Sequence, residues 1–200
     1  MTTGWLRLSP GKVVVFEGLD KAGKSTQLEL LKARVEAGSA SFAHMPSGYT
    51  AFSRSLYQVL EHEPPSSGLA RQLAHLACHH ENMRMLTDTV RSRALVLDRW
   101  WWSTVAYGWY GGHIEQAGIS ESVFRELIER IWEPITASIA FLFLNPYEED
   151  PNNVDCVALG YRELAAAQSD ITVMVPMMSV AETQNYIITE LLRVGIAEGR

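Results

Sequence analysis

Apolar residues follow two patterns along this chain. Some form short unbroken runs, at 13–16, 94–97, 139–144 and 171–176, with 40–45 as a shorter candidate. Runs of this length, rich in β-branched and aromatic side chains, predict strands of a parallel sheet buried on both faces. Elsewhere apolar positions recur every three or four residues, which predicts amphipathic helices. Leu28, Leu30, Leu31 and Val35 mark the first, and Leu69, Leu73, Leu76, Ala77, Met83 and Leu86 a long one over 69–90. Val123, Phe124, Leu127, Ile128 and Ile131 mark a third, opened by Ser120 and Glu121 and ended by Trp132-Glu133-Pro134. Ile187, Leu191 and Leu192 mark the last, opened by a capping box of Ser179 and Glu182. Residues 61–68, 108–118 and 145–160 read as connections. Strands alternating with helices predict an α/β fold, a five-stranded parallel sheet with helices on both faces. Two hundred residues suit one domain spanning 1–200.

The first strand runs into Phe-Glu-Gly-Leu-Asp-Lys-Ala-Gly-Lys-Ser-Thr-Gln at 16–27, which contains G-x-x-x-x-G-K-[ST] as Gly18, Gly23, Lys24 and Ser25. A glycine-rich turn between a strand and a helix wraps the backbone around phosphate oxygens and aims unpaired N–H groups at them. Gly18, Ala22, Gly23, Lys24, Ser25 and Thr26 are therefore expected to bind ATP. Lys24 would reach the β- and γ-phosphates and Ser25 would ligate Mg²⁺. Asp20 is out of place among residues that hold a polyanion, so it is expected to face a second substrate and accept a hydrogen bond from its hydroxyl. Lys21 beside it would lay positive charge over the transferring phosphoryl group.

A second signal is the apolar run 94–97 ending in Asp98, a carboxylate placed to hold Mg²⁺ or its waters beside the phosphate loop. Arg99 would lie between donor and acceptor phosphates. Trp100, Trp101 and Trp102 on a helix span roughly 200° of its circumference, so at least one is expected to line a cleft or an interface. His75 and His79 share a helix face at i, i+4, a spacing that also suits a metal, though no further ligand pattern accompanies it. Cys78 and Cys156 form no redox or metal motif and read as reduced and structural. A net charge of −6 disfavours nucleic acid as a partner. Residues 1–7 lack the apolar core of a signal peptide and no apolar run suits a membrane span, so a cytoplasmic protein is expected.

Residues 16–27 resemble the phosphate loop of the thymidylate kinases, in the form that carries a cation directly after the loop acid. The run Asp98-Arg99-Trp100-Trp101-Trp102-Ser103-Thr104-Val105-Ala106-Tyr107 resembles the signature D-R-[YH]-x-x-S-x-x-A-[YF] of that family, with Trp100 in place of Tyr or His. The resemblance implies a P-loop kinase fold, ATP as donor, Mg²⁺ as cofactor, a homodimer, and a role for Asp20 at the acceptor's sugar. It implies acceptor contacts from Arg99, Trp100 and Tyr107, and a loop at 177–180 beside the adenine of ATP. The family's arginine-containing grip on the acceptor phosphate falls on His44-Met45-Pro46-Ser47-Gly48; the proline matches, while His44 and Gly48 stand where arginines are usual. Arg54, one helical turn on, is the candidate substitute. His75 and His79 fall where the family places an aromatic residue and an arginine that read the acceptor base. The lid, at 145–160, has no Lys or Arg but carries Glu148, Glu149, Asp150 and Asp155, which read as a solvated face. Transition-state charge would then fall to Lys21, Lys24, Arg99 and the metal, with Arg162 as a helper.

These expectations converge on Mg²⁺- and ATP-dependent phosphoryl transfer to a deoxynucleoside monophosphate, dTMP by resemblance. Two alternatives stand beside it. One is a kinase with the same donor half and another acceptor, such as a nucleoside, a modified nucleotide or another hydroxyl compound. The other is a nucleotide-binding switch without transfer chemistry. A third, phosphorylation of a base in DNA, is opposed by the acidic charge.

Overall fold

The computed structural model describes residues 5–46, 49–112 and 114–199. Its elements in chain order are β1 (Leu6–Leu8), β2 (Val13–Gly18), α1 (Lys24–Lys32), β3 (Ala40–His44), α2 (Ala51–His62), α3 (Gly68–Ser92), β4 (Ala94–Asp98) and α4 (Trp101–Val105). They continue through α5 (Glu121–Trp132), β5 (Ile139–Phe143), α6 (Asp155–Ala167), β6 (Thr172–Met174), α7 (Val180–Arg193) and β7 (Ala197–Gly199). Five strands form a parallel sheet in the order β3-β4-β2-β5-β6. Every residue of β2 and β5 is buried, so both faces of the sheet centre are covered, as their unbroken apolar runs require. A separate antiparallel pair, β1 with β7, joins the two ends of the described chain. Three-residue strands carry no usable periodicity, and neither was expected from the sequence.

This order places β2 between β4 and β5, where successive connections leave in opposite directions. Ligands of open α/β sheets bind in the crevice such a reversal opens at the carboxyl ends of the strands. The register brings His44 of β3 opposite Asp98 of β4, and Phe16 of β2 opposite the same Asp98. Gly18 ends β2 at φ 127°, and a Cβ there would sit 2.0 Å from the carbonyl oxygen of Phe143. Only glycine lets β2 turn into the phosphate loop while keeping that contact.

Four expectations need correction. The stretch 108–118 is not one loop: the helical chain continues from α4 as a π-helical turn, Ala106–Tyr110, and a 3₁₀ turn follows at Glu115–Ala117. The lid stretch 145–160 is connection only through Val154, since α6 begins at Asp155. The three tryptophans have little exposure, at 4%, 7% and 0%, and Trp100 lines a cavity, as expected of at least one of them. Trp100 is extended (φ −137°) and precedes the helix, so the three do not fan around one axis. They pack on each other, and Trp132 of α5 meets Trp100 edge to face at 6.2 Å. Cys78 is buried and donates to the carbonyl of Ser53 at 3.8 Å, with burial pushing its thiol up to about 11. Cys156 is free and exposed, so it is not a packing residue. Among the described residues, no helix is long and apolar enough to cross a membrane.

Candidate active site

The phosphate loop surrounds a cavity of about 390 Å³ lined by Lys21, Ala22, Gly23, Lys24, Ser25 and Thr26 from one side and by Asp98 and Arg99 from the other. Gly23 caps α1 without a side-chain hydrogen bond, which leaves the first-turn N–H groups of that helix to a ligand. The Lys24 side chain is buried. Its Nζ donates to the carbonyls of Gly18 and Leu19, at 2.9 and 2.5 Å. Burial, and then the charge of Arg99, lowers its pKa to about 8.

Asp98 lines the same cavity as Ser25, and its Oδ2 lies 3.0 Å from Nδ1 of His44. Burial pushes the Asp98 pKa up, but hydrogen bonding and charge from His44, with Arg99 and Lys24 beyond, hold it below the usual carboxylate value. An ionised carboxylate facing a serine hydroxyl across a phosphate cavity is a hard oxygen donor set that fits Mg²⁺.

Arg99 occupies the corner between the two strands' ends in a left-handed conformation, φ 69°. Its guanidinium pairs with the Asp20 carboxylate, donates to Ser103 Oγ at 3.0 Å and lies 5.5 Å from the centre of the Tyr107 ring. Behind it is a residue that sequence reasoning missed. Glu17 is fully buried, and its Oε1 accepts from the backbone N–H groups of Trp100 (2.7 Å) and Ser103 (3.0 Å). Its Oε2 accepts from Ser103 Oγ (2.5 Å) and the hydroxyl of Tyr161 (3.2 Å). Burial raises the Glu17 pKa, against those hydrogen bonds and the charge of Arg99. An acid at the end of an otherwise apolar strand was the available signal, since such a group is buried only with partners.

Lys21, at φ 57°, points toward the lid segment: its Nζ lies 3.6 Å from Glu148 and donates to the carbonyl of Glu149 at 3.2 Å. Glu148 meets a loop cation at the surface with its side chain 74% exposed, and the side chains of Glu149 and Asp155 are likewise exposed, as expected. Asn153 clips the main chain of Asp20, accepting from its N–H at 2.9 Å and donating to its carbonyl at 2.8 Å. Tyr147 donates to the carbonyl of Met178 at 2.9 Å and, with Val175, Met177 and Val180, lines a cavity of about 120 Å³ beside Gly23. Tyr147 and Asn153 lie on a connection without periodicity, so nothing in the sequence marked them. Arg162 is exposed, whereas its neighbour Tyr161 is buried beneath Glu17.

A second cavity, of about 460 Å³, adjoins the first through Asp20, His44 and Arg99, which line both. His75, His79, Trp100 and Tyr107 line it as expected. Arg54 does not line it; it is exposed on α2 and donates to the carbonyl of Tyr49 at 2.9 Å. Gly48 lies outside the described residues. Arg71 and Gln72, absent from the sequence reading, line this cavity instead. They precede His75 and His79 by one and two helical turns, so helix geometry alone linked all four.

His79 is buried with Nε2 3.2 Å from Thr104 Oγ1 and its ring edge-on to Trp132. Among the described residues, no group of three or more metal-ligating side chains accompanies the two histidines. Burial lowers the pKa of His79 to about 3 and that of His75 to about 4. Both values lie below the unfolded value of about 6.5, so stability is complete above that pH and falls as acid protonates the unfolded chain alone. Each histidine should cost roughly 2 kcal/mol between pH 6.5 and pH 5. Urea unfolding at those two pH values should show the loss, and His79→Gln should remove about half of it. An unchanged loss in the variant would mean that His79 takes up its proton while folded.

The profile of the thymidylate kinase family matches residues 16–125, from β2 through the phosphate loop, Asp98 and Arg99 into α5. The thymidylate kinase of Neorickettsia sennetsu is 29% identical over 185 residues, covering 88% of this chain and 91% of that protein. The crystal structure of thymidylate kinase from Ehrlichia chaffeensis superposes with a TM-score of 0.75 at 20% identity, covering 92% of this chain and 99% of the other. The structure of thymidylate kinase from Candida albicans gives 0.68 at 17% identity, covering 94% of this chain and 92% of the other. Such distant structures share the fold, a parallel five-stranded sheet with its phosphate loop after the central strand. With its profile running through more than half of the sequence and through both halves of the cleft, this chain belongs to the thymidylate kinase family.

Proposed function

We propose that the protein transfers the γ-phosphoryl group of ATP to dTMP, yielding ADP and dTDP. The observation that carries this reading is the junction of the two cavities at Asp20, His44 and Arg99. A donor phosphate in the loop and an acceptor in the second cavity meet at that junction. A phosphate oxygen of dTMP forms a bond to the γ-phosphorus, and the bond from that phosphorus to the β–γ bridging oxygen breaks. No covalent enzyme intermediate is required, so catalysis is positioning and charge stabilisation.

Gly18, Ala22, Gly23, Lys24, Ser25 and Thr26 hold the triphosphate. Ser25 and Asp98 would hold Mg²⁺, which when bound neutralises charge on the β- and γ-phosphates. Arg99 faces the transferring group, held there by Asp20, Ser103 and, through Ser103, Glu17. Lys21 reaches the same cavity from the loop. Asp20 has a second free direction toward the acceptor sugar, since it lines both cavities. Tyr147 with the 175–180 stretch borders the adenine.

One observation favours a second reading, transfer to a nucleoside. The acceptor cavity is lined by two described arginines, and Arg99, the one nearer the phosphate loop, is already paired with Asp20. ADP formation from ATP and Mg²⁺ across deoxynucleosides and their monophosphates separates the two. Fast turnover with dTMP is expected. Turnover with thymidine but not dTMP would establish the second reading, and turnover with neither would overturn both.

A further inference from the structure

The π-helical turn 106–110 packs against α6 at two places. At the inner one the rings of Tyr107 and Tyr161 meet edge to face, 6.1 Å between centres. Both tyrosines belong to the surroundings of Arg99. Tyr107 lies 5.5 Å from the guanidinium, while the Tyr161 hydroxyl lies 2.8 Å from Ser103 Oγ and donates to Glu17 Oε2 at 3.2 Å. Ser103 in turn accepts from Arg99.

At the outer place Tyr110 lies against Gly160. This glycine is buried in the middle of α6, and its φ is not left-handed. Glycine destabilises a helix interior relative to alanine, and the backbone here does not call for it. The neighbour does: a Cβ at 160 would lie 2.6 Å from Cγ and 3.0 Å from Cβ of Tyr110. The tyrosine ring therefore rests on the bare backbone of α6. Its hydroxyl is fastened as well, donating to Glu163 one turn along α6 and accepting from Arg125 Nη2 of α5 at 3.2 Å. Arg125 is itself held by Glu121, at 2.7 Å. Tyr110 thus joins the turn to two helices, although Tyr110, Gly160, Glu163 and Arg125 line neither cavity of the cleft.

The two places are linked. Tyr107 and Tyr110 sit on one turn, closed by the bond from Gly111 N–H to the Ala106 carbonyl at 3.0 Å. Gly160 and Tyr161 are consecutive on one helix. Close-packed interiors transmit strain, so a displacement at the outer place is passed to both inner tyrosines.

Resting on the phosphoryl-transfer reading above for its effect on rate, we infer that Tyr110 is a positioning residue for Arg99: its ring, seated on Gly160, fixes the seam between the π-helical turn and α6, and with it Tyr107 and Tyr161 beside the guanidinium. Tyr110 touches no substrate. It acts because an arginine that stabilises a transferring phosphoryl group works only from one place, and a shift of about 1 Å can cost much of its effect.

The test is Gly160→Ala, Tyr110→Ala and the double variant in the full chain, read by dTMP turnover, a thermal melt and the NMR signals of the arginine side chains. The Arg99 Nε–H signal is the one absent from Arg99→Lys. Gly160→Ala drives a methyl group into the tyrosine ring, so it should shift that signal and lower kcat roughly 10- to 100-fold. The KM for ATP should change far less: among the described residues, the seam hydrogen-bonds to the phosphate loop only at Asp20, through the Tyr107 hydroxyl. Tyr110→Ala adds no clash and keeps the test open if Gly160→Ala does not fold; it too should move the signal and lower kcat. With the ring gone the extra methyl has room. The double variant should therefore exceed Gly160→Ala in kcat and bring the signal back toward wild type, a coupling that independent sites do not show. A packing role alone would lower the melting temperature and leave kcat and the signal in place. That result, or no recovery in the double variant, overturns the assignment. A wild type that does not phosphorylate dTMP, with the Arg99 signal moving and returning as stated, would sink the transfer reading and uphold the positioning. Turnover of dTMP at wild-type kcat in Gly160→Ala would do the reverse.

Discussion

Lys24→Met should lower kcat for dTMP phosphorylation roughly 10³-fold, about 4 kcal/mol of transition-state stabilisation. The lysine is the one cation of the phosphate loop whose amine is buried, and it bonds the carbonyls of Gly18 and Leu19 at the mouth of the phosphate cavity. With a triphosphate in place, those three donors can turn to the β- and γ-oxygens with little loss of solvent order, because the amine is already desolvated. Its lowered pKa, about 8, records that desolvation. Methionine keeps the length and volume of the stem, so the packing around α1 survives. The buried charge is itself unfavourable to folding, so the melting temperature should hold or rise slightly. A steady-state assay with saturating ATP and dTMP, beside a thermal melt, checks both halves. A variant that folds and keeps wild-type kcat would remove Lys24 from the chemistry.

Glu17→Gln should cost both activity and stability, because this carboxylate supports the Arg99 corner without touching substrate. Four donors converge on its two oxygens: the N–H groups of Trp100 and Ser103, and the hydroxyls of Ser103 and Tyr161. An amide offers one oxygen, so its NH₂ must face two of those donors. It also withdraws a negative charge from the neighbourhood of Arg99, whose remaining carboxylate partner is Asp20. Breaking one side of a buried charged network costs about 3–5 kcal/mol, and Asp20 keeps the loss near the lower figure. For a chain of this size that is a fall of roughly 10 °C in melting temperature. Loosening Arg99 should reduce kcat roughly 10²-fold while the KM for ATP stays close to wild type, because the loop and α1 are not part of the network. Equal loss of kcat and ATP affinity would mean that Glu17 holds the phosphate loop rather than the arginine. An unchanged melting temperature would mean that its charge is dispensable.

Both predictions concern residues inside the motif that the sequence displays most openly, yet the two were not equally legible. The position of Lys24 follows from local chain geometry: a strand, a glycine turn and a helix start place its amine over the loop. Asp98 is similar, since a carboxylate closing a buried strand must emerge at the sheet edge. The five strands were legible for the same reason, because continuous apolar runs have few other homes. Glu17 was hidden in the same stretch, because its partners are 83, 86 and 144 residues away.

What the sequence by itself determined is therefore the donor half of the protein: the parallel sheet, the phosphate loop, the carboxylate of Asp98 at the end of its strand and the likeness to a kinase family. Each depends on residues within a dozen positions of one another, where backbone geometry and periodicity act directly. Only the tertiary structure decided the acceptor half. It moved Arg54 out of the cavity and Arg71 and Gln72 into it, buried all three tryptophans, and brought Glu148 to Lys21 and Asn153 to Asp20. Those outcomes depend on the angle at which α2 and α3 meet β4, and on how the connection before α6 crosses the loop. Packing between elements distant in sequence sets such angles, and no local pattern of apolar and polar residues encodes them.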